Sequence, residues 1–278
     1  MKKITVCLSG GLGNQLFQAA FGLAKAEIWN IEVEFDASSY ANYELHGLEL
    51  LALPKMKNNF KFHHENKSIF SKTLDRVYAI NTINEGKALG YRDFNFNAVV
   101  GKKFRGYWQS ELYFREIKKL ILSNFQPDNR TQNSAKLLWD KSIIKEKGDA
   151  VCMHIRRGDY VLDPKANSVH GSLPVDYYER AAKKFRGKNI YVFSDDINWC
   201  KNNLPKSWNV LVDQGNTPIE TMFFMSMFPN FIIANSTFSW WAAYLSRSTD
   251  KKIIAPKHWF ADKKVFNPDI IPRDWNVC

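Results

Sequence analysis

Beyond residue 149 the chain repeats one pattern: a short apolar run, a polar cluster, then a segment of helical periodicity. Residues 149–160 read DAVCMHIRRGDY, residues 189–196 read NIYVFSDD, and residues 230–237 read NFIIANST. Helical segments are expected at 173–184, 197–203, 218–228 and 238–246, with further strands at 209–212 and 252–255. Strands alternating with helices predict a parallel sheet covered by helices. Parallel strands all end on one edge. Three polar clusters should therefore emerge together: Arg156, Arg157 and Asp159; Ser194, Asp195 and Asp196; Asn235, Ser236 and Thr237. In open α/β sheets the ligand crevice lies beyond those carboxyl ends.

The first half of the chain opens in a similar way. Residues 3–8 predict a strand, Ser9-Gly10-Gly11-Leu12-Gly13 a tight loop, residues 14–28 a helix, and 31–35 a second strand ending at Asp36. Leu16, Phe17, Ala20, Phe21, Leu23, Ala24 and Ile28 supply the helical period. Leu16 stands where a dinucleotide fingerprint has its third glycine, and no P-loop sequence occurs, so the loop shows only that backbone approaches something closely. Residues 40–100 carry no clear elements. His63-His64 has no partner at metal-ligand spacing and reads as exposed loop or surface. Residues 103–108 predict a strand leading into Gln109-Ser110, 111–124 a helix, and 131–147 a polar helix bridging two domains. The division expected is 1–130, a linker at 131–148, and 149–278, with the C-terminal tail able to pack back on the first domain.

The chemistry concentrates after residue 153. Side chains alternate along a strand, so His154 and Arg156 share a face at its end, and Gly158 permits a sharp turn. Arginine offers planar, permanently charged, bidentate donors suited to a phosphate or diphosphate. The competing reading is a structural ion pair of Asp159 with Arg156 or Arg157. A net charge of +11 favours anionic partners such as a nucleotide or anionic lipid headgroups. No recognition-helix, zinc-finger or RNA-sheet signature points to nucleic acid. Four cysteines without a C-x-x-C spacing (Cys7, Cys152, Cys200, Cys278) read as reduced and cytosolic. Under that reading the glycosylation-type triplets at Asn66, Asn129 and Asn235 carry no meaning. The apolar run at residues 4–8 is too short for a signal peptide, and no run reaches membrane-spanning length.

Five segments occur in order: GGLGNQLFQ (10–18), GYWQSELYF (106–114), HIRRGDY (154–160), FSDD (193–196) and NSTFSWWAA (235–243). Together they resemble the bacterial α-1,2-fucosyltransferases of glycosyltransferase family 11, over nearly the whole chain except about residues 40–100. The resemblance implies a GT-B architecture, two Rossmann-like domains facing a central cleft. It also implies inverting transfer of L-fucose from GDP-β-L-fucose to O2 of a terminal β-galactoside, in an oligosaccharide that is lipid-linked in surface-glycan synthesis; the alternatives are a transferase using another GDP-sugar and a non-catalytic nucleotide- or carbohydrate-binding protein. It places the enzyme in the cytoplasm, in peripheral contact with anionic membrane. No metal or other cofactor is implied, in keeping with the absence of any D-x-D sequence.

Carried onto this chain, the resemblance puts Arg156 on the donor's β-phosphate, with Arg157 second. Asp159 is a candidate general base with a structural competitor. Ser236, Thr237 and Ser239 complete the diphosphate site or cap a helix. His154 meets the ribose or guanine, or is a satisfied strand-end histidine. Ser194, Asp195 and Asp196 order the cleft, with one aspartate capping the next helix. Asn235 and Glu220 belong to the donor side; Thr221 stands where relatives carry an Asp, which leaves the nucleoside to Glu220 alone or makes donor recognition differ. Gly11, Gly13 and Asn14 face the cleft, Asn14 in reach of donor or acceptor. Trp108 and Gln109 are the acceptor contacts, and Trp241 is core.

Overall fold

The computed structural model describes residues 2–42, 46–64, 81–86, 89–142 and 147–278. The triplet at Asn66 lies outside them, as does the end of the helix expected to reach residue 147. Two α/β units emerge: Met1–Gln126 with Asn267–Ile270, and Pro127–Phe266 with Ile271–Cys278.

The first unit is a parallel five-stranded sheet of β1 (Lys3–Cys7), β2 (Glu32–Asp36), β3 (Lys61–His63), β4 (Thr82–Asn84) and β5 (Lys103–Arg105), in the order β3-β2-β1-β5-β4. Ile4 and Val6 of β1 are fully buried, and the residues between them are less so, as the strand period requires. The helix Leu12–Trp29 buries every residue from Leu12 to Lys25 except Asn14. It stops where Asn30 turns left-handed at φ 50°, its N–H donating to the carbonyls of Ala26 and Glu27.

Residues 40–100 hold β3, β4 and the short helices Pro54–Asn59 and Phe96–Val99. Three-residue strands are too brief to show a period, which is why the sequence hid them. His63 is exposed at the surface, as one of the two expected readings had it, at the end of β3, and its Nε2 is 3.1 Å from Glu34. The strand expected to reach Trp108 ends at Arg105, and Trp108 itself is left-handed (φ 54°). The helix expected over 111–124 is broken into two 3₁₀ turns, Glu111–Tyr113 and Arg115–Ile117, before the α-helix Lys118–Asn124.

The second unit is a parallel six-stranded sheet: β6 (Ala150–Ile155), β7 (Asn189–Ser194), β8 (Asn209–Val210), β9 (Asn230–Ile232), β10 (Lys252–Ala255) and β11 (Asn276–Val277). Its order, β11-β10-β9-β6-β7-β8, is the doubly wound order of a nucleotide-binding fold. All six residues of β6 are buried, as a central strand covered on both faces demands. Tyr177, Tyr178, Ile190, Val192, Ile232 and Ile254 pack around its Val151, Met153 and Ile155.

The helix Asn129–Ser142 belongs to this unit: Ser134 bonds to Glu220 on the helix Pro218–Ser226, and Trp139 lies edge-on to Phe228 at 4.7 Å. Two short helices not expected from the sequence, Gly158–Leu162 and Pro164–Val169, follow β6. Among the described residues no helix is long and apolar enough to cross a membrane.

Candidate active site

The order of the second sheet reverses between β6 and β9, so their carboxyl ends flank the switch-point crevice. Arg156, Arg157 and Gly158 follow β6; Asn235 and Ser236 follow β9 and lead into the helix Thr237–Leu245. Side chains tie the two loops together. Tyr160 Oη donates to the Asn235 carbonyl at 3.2 Å, and the His154 ring lies 5.9 Å from that of Phe238.

The Arg156 guanidinium is held between two carboxylates. Nη1 is 2.7 Å from Asp195 Oδ2, and Nη2 donates to Asp159 Oδ1 at 2.6 Å. Asp195 also accepts the Arg157 N–H at 2.8 Å. It sits so close that a Cβ on Gly158 would lie 2.6 Å from its Oδ2, which explains the glycine. Arg157 has other partners: its Nε meets Asp196 at 3.1 Å and its guanidinium lies 3.8 Å over the Trp199 ring. The ion pair with Asp159 therefore belongs to Arg156, and Arg157 stabilises the turn.

His154 is 7 % exposed, and its Nδ1 is buried without a hydrogen-bond partner. The satisfied strand-end alternative does not hold. Burial pushes its pKa down to about 4, with Asp195 opposing and Arg156 assisting, so the imidazole is neutral at pH 7. Ser236 occupies the N-cap position of its helix, yet its side chain makes no capping bond. Capping therefore does not explain this serine, and the helix presents its N-terminal amides uncapped by it.

Several expected donor contacts turn out to be framework. Asn235 is 2 % exposed and donates through Nδ2 to the carbonyls of His170, Gly171 and Trp259, closing the loop after β6 against the one after β10. Ser239 is fully buried and bonds back to the Ser236 carbonyl. Ser194 accepts the Asp196 N–H, and Asp196 caps the helix Ile197–Asn203 through the Trp199 N–H, the capping role expected of one of the pair.

Glu220 has both oxygens engaged, one by Ser134 and one by the Asn216 N–H at 3.0 Å. It locks two helices rather than offering a free carboxylate to a nucleoside. Thr221 lies against the Gly215 turn: a Cβ there would be 3.0 Å from its N and Oγ1. Trp241 is fully buried, as expected.

The first sheet has its own switch point, between β1 and β5. Gly10 is left-handed at φ 76°, and a Cβ there would strike Asn14 Nδ2 at 2.5 Å. Gly11 is the N-cap of the long helix, Gly13 lies buried in its first turn, and Asn14 Oδ1 accepts from Gln109 Nε2 at 2.9 Å. Gln18 ties the two loops together, accepting the Ser9 N–H and donating to the Gly106 carbonyl.

Trp108 does not belong to any surface. It is 0 % exposed and stacks on Phe21 at 4.6 Å, so the expected acceptor contact is a core residue. Two supports escaped the sequence reading. Buried Glu85 accepts the N–H groups of Tyr107 and Trp108, at 2.6 and 3.1 Å, and burial raises its pKa. Asn267 donates to the Gln109 carbonyl at 2.9 Å. Long sequence separation left neither any local signal. Among the described residues no cluster of three or more His, Cys, Asp or Glu side chains is placed to hold a metal ion.

Comparison with known proteins agrees with this geometry. The chain is 33 % identical to an α-1,2-colitosyltransferase of Escherichia coli, over 99 % of this chain and 98 % of that one. It is 32 % identical to the O-antigen biosynthesis glycosyltransferase WbnK of Escherichia coli, covering 92 % and 94 %. Among solved structures it shares its fold with POFUT1 in complex with GDP (TM-score 0.51, 14 % identity, 91 % and 97 % covered). The same holds for NodZ α-1,6-fucosyltransferase co-crystallised with GDP (TM-score 0.50, 13 % identity, 87 % and 91 % covered). Two Rossmann-like units of the GT-B type, and a match to the profile of glycosyl transferase family 11 over residues 3–278, establish that the chain belongs to that family.

Proposed function

We propose that the protein transfers L-fucose from GDP-β-L-fucose to O2 of a terminal β-galactoside, with inversion, forming an α-1,2 linkage in an O-antigen-type surface glycan. The observation that carries this reading is the Arg156 guanidinium at the end of β6, across the switch point from a helix N-terminus that Ser236 leaves uncapped. Cationic and amide donors are what a departing diphosphate requires when no metal serves it. The C1–O bond to the β-phosphate breaks and GDP leaves with the bonding electrons. The galactose O2 attacks C1 from the opposite face, and its proton passes to a base, for which Asp159 is the candidate.

Neutral His154 suits a hydrogen bond to a ribose hydroxyl or the guanine, not a charge. Asn14 and Gln109 offer amide groups matched to uncharged sugar hydroxyls. The basic charge supports a cytoplasmic enzyme that touches anionic membrane where a lipid-linked acceptor resides. A second reading, the same transfer with a colitosyl donor, is favoured by the likeness to the Escherichia coli colitosyltransferase.

The test is product formation from each donor and lactose in EDTA, with NMR of the product and Arg156→Ala alongside. An α-1,2-fucosylated product, lost by about 10²-fold or more in the variant, supports the leading reading. Turnover of the colitosyl donor alone replaces it with the second. Turnover that needs an added metal overturns the metal-independent chemistry.

A further inference from the structure

We propose that the two carboxylates on Arg156 act in opposite directions on the donor. Asp195 positions the guanidinium, whereas Asp159 occupies the guanidinium edge that the diphosphate takes. The inference rests on the reading of the second unit as the nucleoside-diphosphate site.

The two aspartates hold Arg156 at nearly the same distance, 2.7 Å for Asp195 and 2.6 Å for Asp159. Their surroundings differ. Asp195 is anchored twice, because its other oxygen accepts the Arg157 N–H at 2.8 Å. The missing Cβ of Gly158 makes its room. The Asp159 carboxylate has no second hydrogen bond among the described residues, and its side chain is 39 % exposed against 26 % for Asp195.

The local charge is also against an anion as the site stands. The two guanidiniums of Arg156 and Arg157 face the three carboxylates of Asp159, Asp195 and Asp196. A diphosphate arriving here gains a bidentate arginine only by displacing a carboxylate, and the singly held, more exposed one yields. Asp159 is then a placeholder that keeps Arg156 extended in the empty protein and leaves it when the donor binds. Asp195 is a positioning residue that stays.

Calorimetric titration of wild type, Asp159→Asn and Asp195→Asn with GDP, UDP and guanosine tests this. Asparagine keeps the shape at both positions, and at 195 it keeps an acceptor for the Arg157 N–H, so thermal melts should stay close to wild type. Asp159→Asn is expected to bind GDP about three- to fivefold tighter, and Asp195→Asn about tenfold more weakly. Guanosine, which lacks the phosphates, should bind all three proteins alike. Weaker GDP binding by Asp159→Asn overturns the proposal, as does an equal change for guanosine. The same opposed pattern with UDP in place of GDP upholds the proposal and overturns the guanine assignment. Failure of wild type to bind either diphosphate overturns the donor-site reading and this inference with it.

Discussion

The neutral histidine beneath the arginine should leave a measurable trace in stability. His154 has its pKa depressed to about 4 by burial, against 6.5 when unfolded. The unfolded chain therefore binds a proton between those values that the folded chain refuses. The stability associated with His154 is complete above pH 6.5 and is lost as pH falls toward 4. At pH 5 the unfolded state favours protonation by roughly thirtyfold over the folded state, which is about 2 kcal/mol. The full separation of the two pKa values corresponds to about 3 kcal/mol.

The comparison is between wild type and His154→Gln, which cannot titrate. Native-state hydrogen exchange of peptides covering β6 and β9, at pH 8 and pH 5, reads the opening energy of the second unit. Wild type should lose about 2 kcal/mol more than the variant across that interval. Equal losses would mean that the imidazole is protonated in the folded protein, and the argument from burial would be refuted. His154 therefore contributes no limb near pH 6.5 to the rate profile of wild type.

Two further outcomes follow from close contacts. Gly158→Ala places a Cβ 2.6 Å from Asp195 Oδ2, so the carboxylate must move off Arg156. A turnover loss of at least about tenfold, with the melting temperature shifted by only a few degrees, is expected from steady-state kinetics and a thermal scan. Glu85→Ala leaves the N–H groups of exposed Tyr107 and buried Trp108 without their acceptor. Urea unfolding should show a loss of about 1–3 kcal/mol, and the acceptor KM should rise while the donor KM holds.

The parts of the molecule that were legible in sequence are those where local pattern and global fold agree. The run VCMHI announces a buried strand, and β6 is buried along its whole length. Polar residues placed just after three strands lie at one sheet edge because all three strands are parallel. Individual roles were less legible, because partners far apart in sequence decide them. Asp195 and Asp196 are adjacent, yet one serves Arg156 and the other caps a helix. Asn235 looks like a binding residue until His170, Gly171 and Trp259 are seen to share its amide. Trp108 sits beside Gln109, but its left-handed backbone turns the indole into the core against Phe21. The weakest stretch, residues 40–100, fails for a different reason: its strands are three residues long and their pairing is set by β2 and β5.

The two switch points also differ in chemistry, and the proposed division of ligands between them rests on that difference. The second unit gathers guanidiniums and carboxylates where its sheet reverses, whereas the first presents the amides of Asn14 and Gln109 at the same topological place, with the His46 ring against Gly11 and the half-buried Glu49 carboxyl on the Leu12 N–H. Charged groups suit a diphosphate; neutral amides suit hydroxyls, which they bond without a desolvated charge. Asn14→Asp separates the possibilities, because the new carboxylate still accepts from Gln109 Nε2 while it adds a charge and gives up the Nδ2 donor. If Asn14 serves the sugar acceptor, GDP affinity should stay within about twofold of wild type and the lactose KM should carry the change. If instead GDP binding weakens by about tenfold or more at low salt, the added charge lies within reach of the diphosphate. The first unit's crevice would then belong to the donor, and the division of labour drawn from its neutral amides would be wrong.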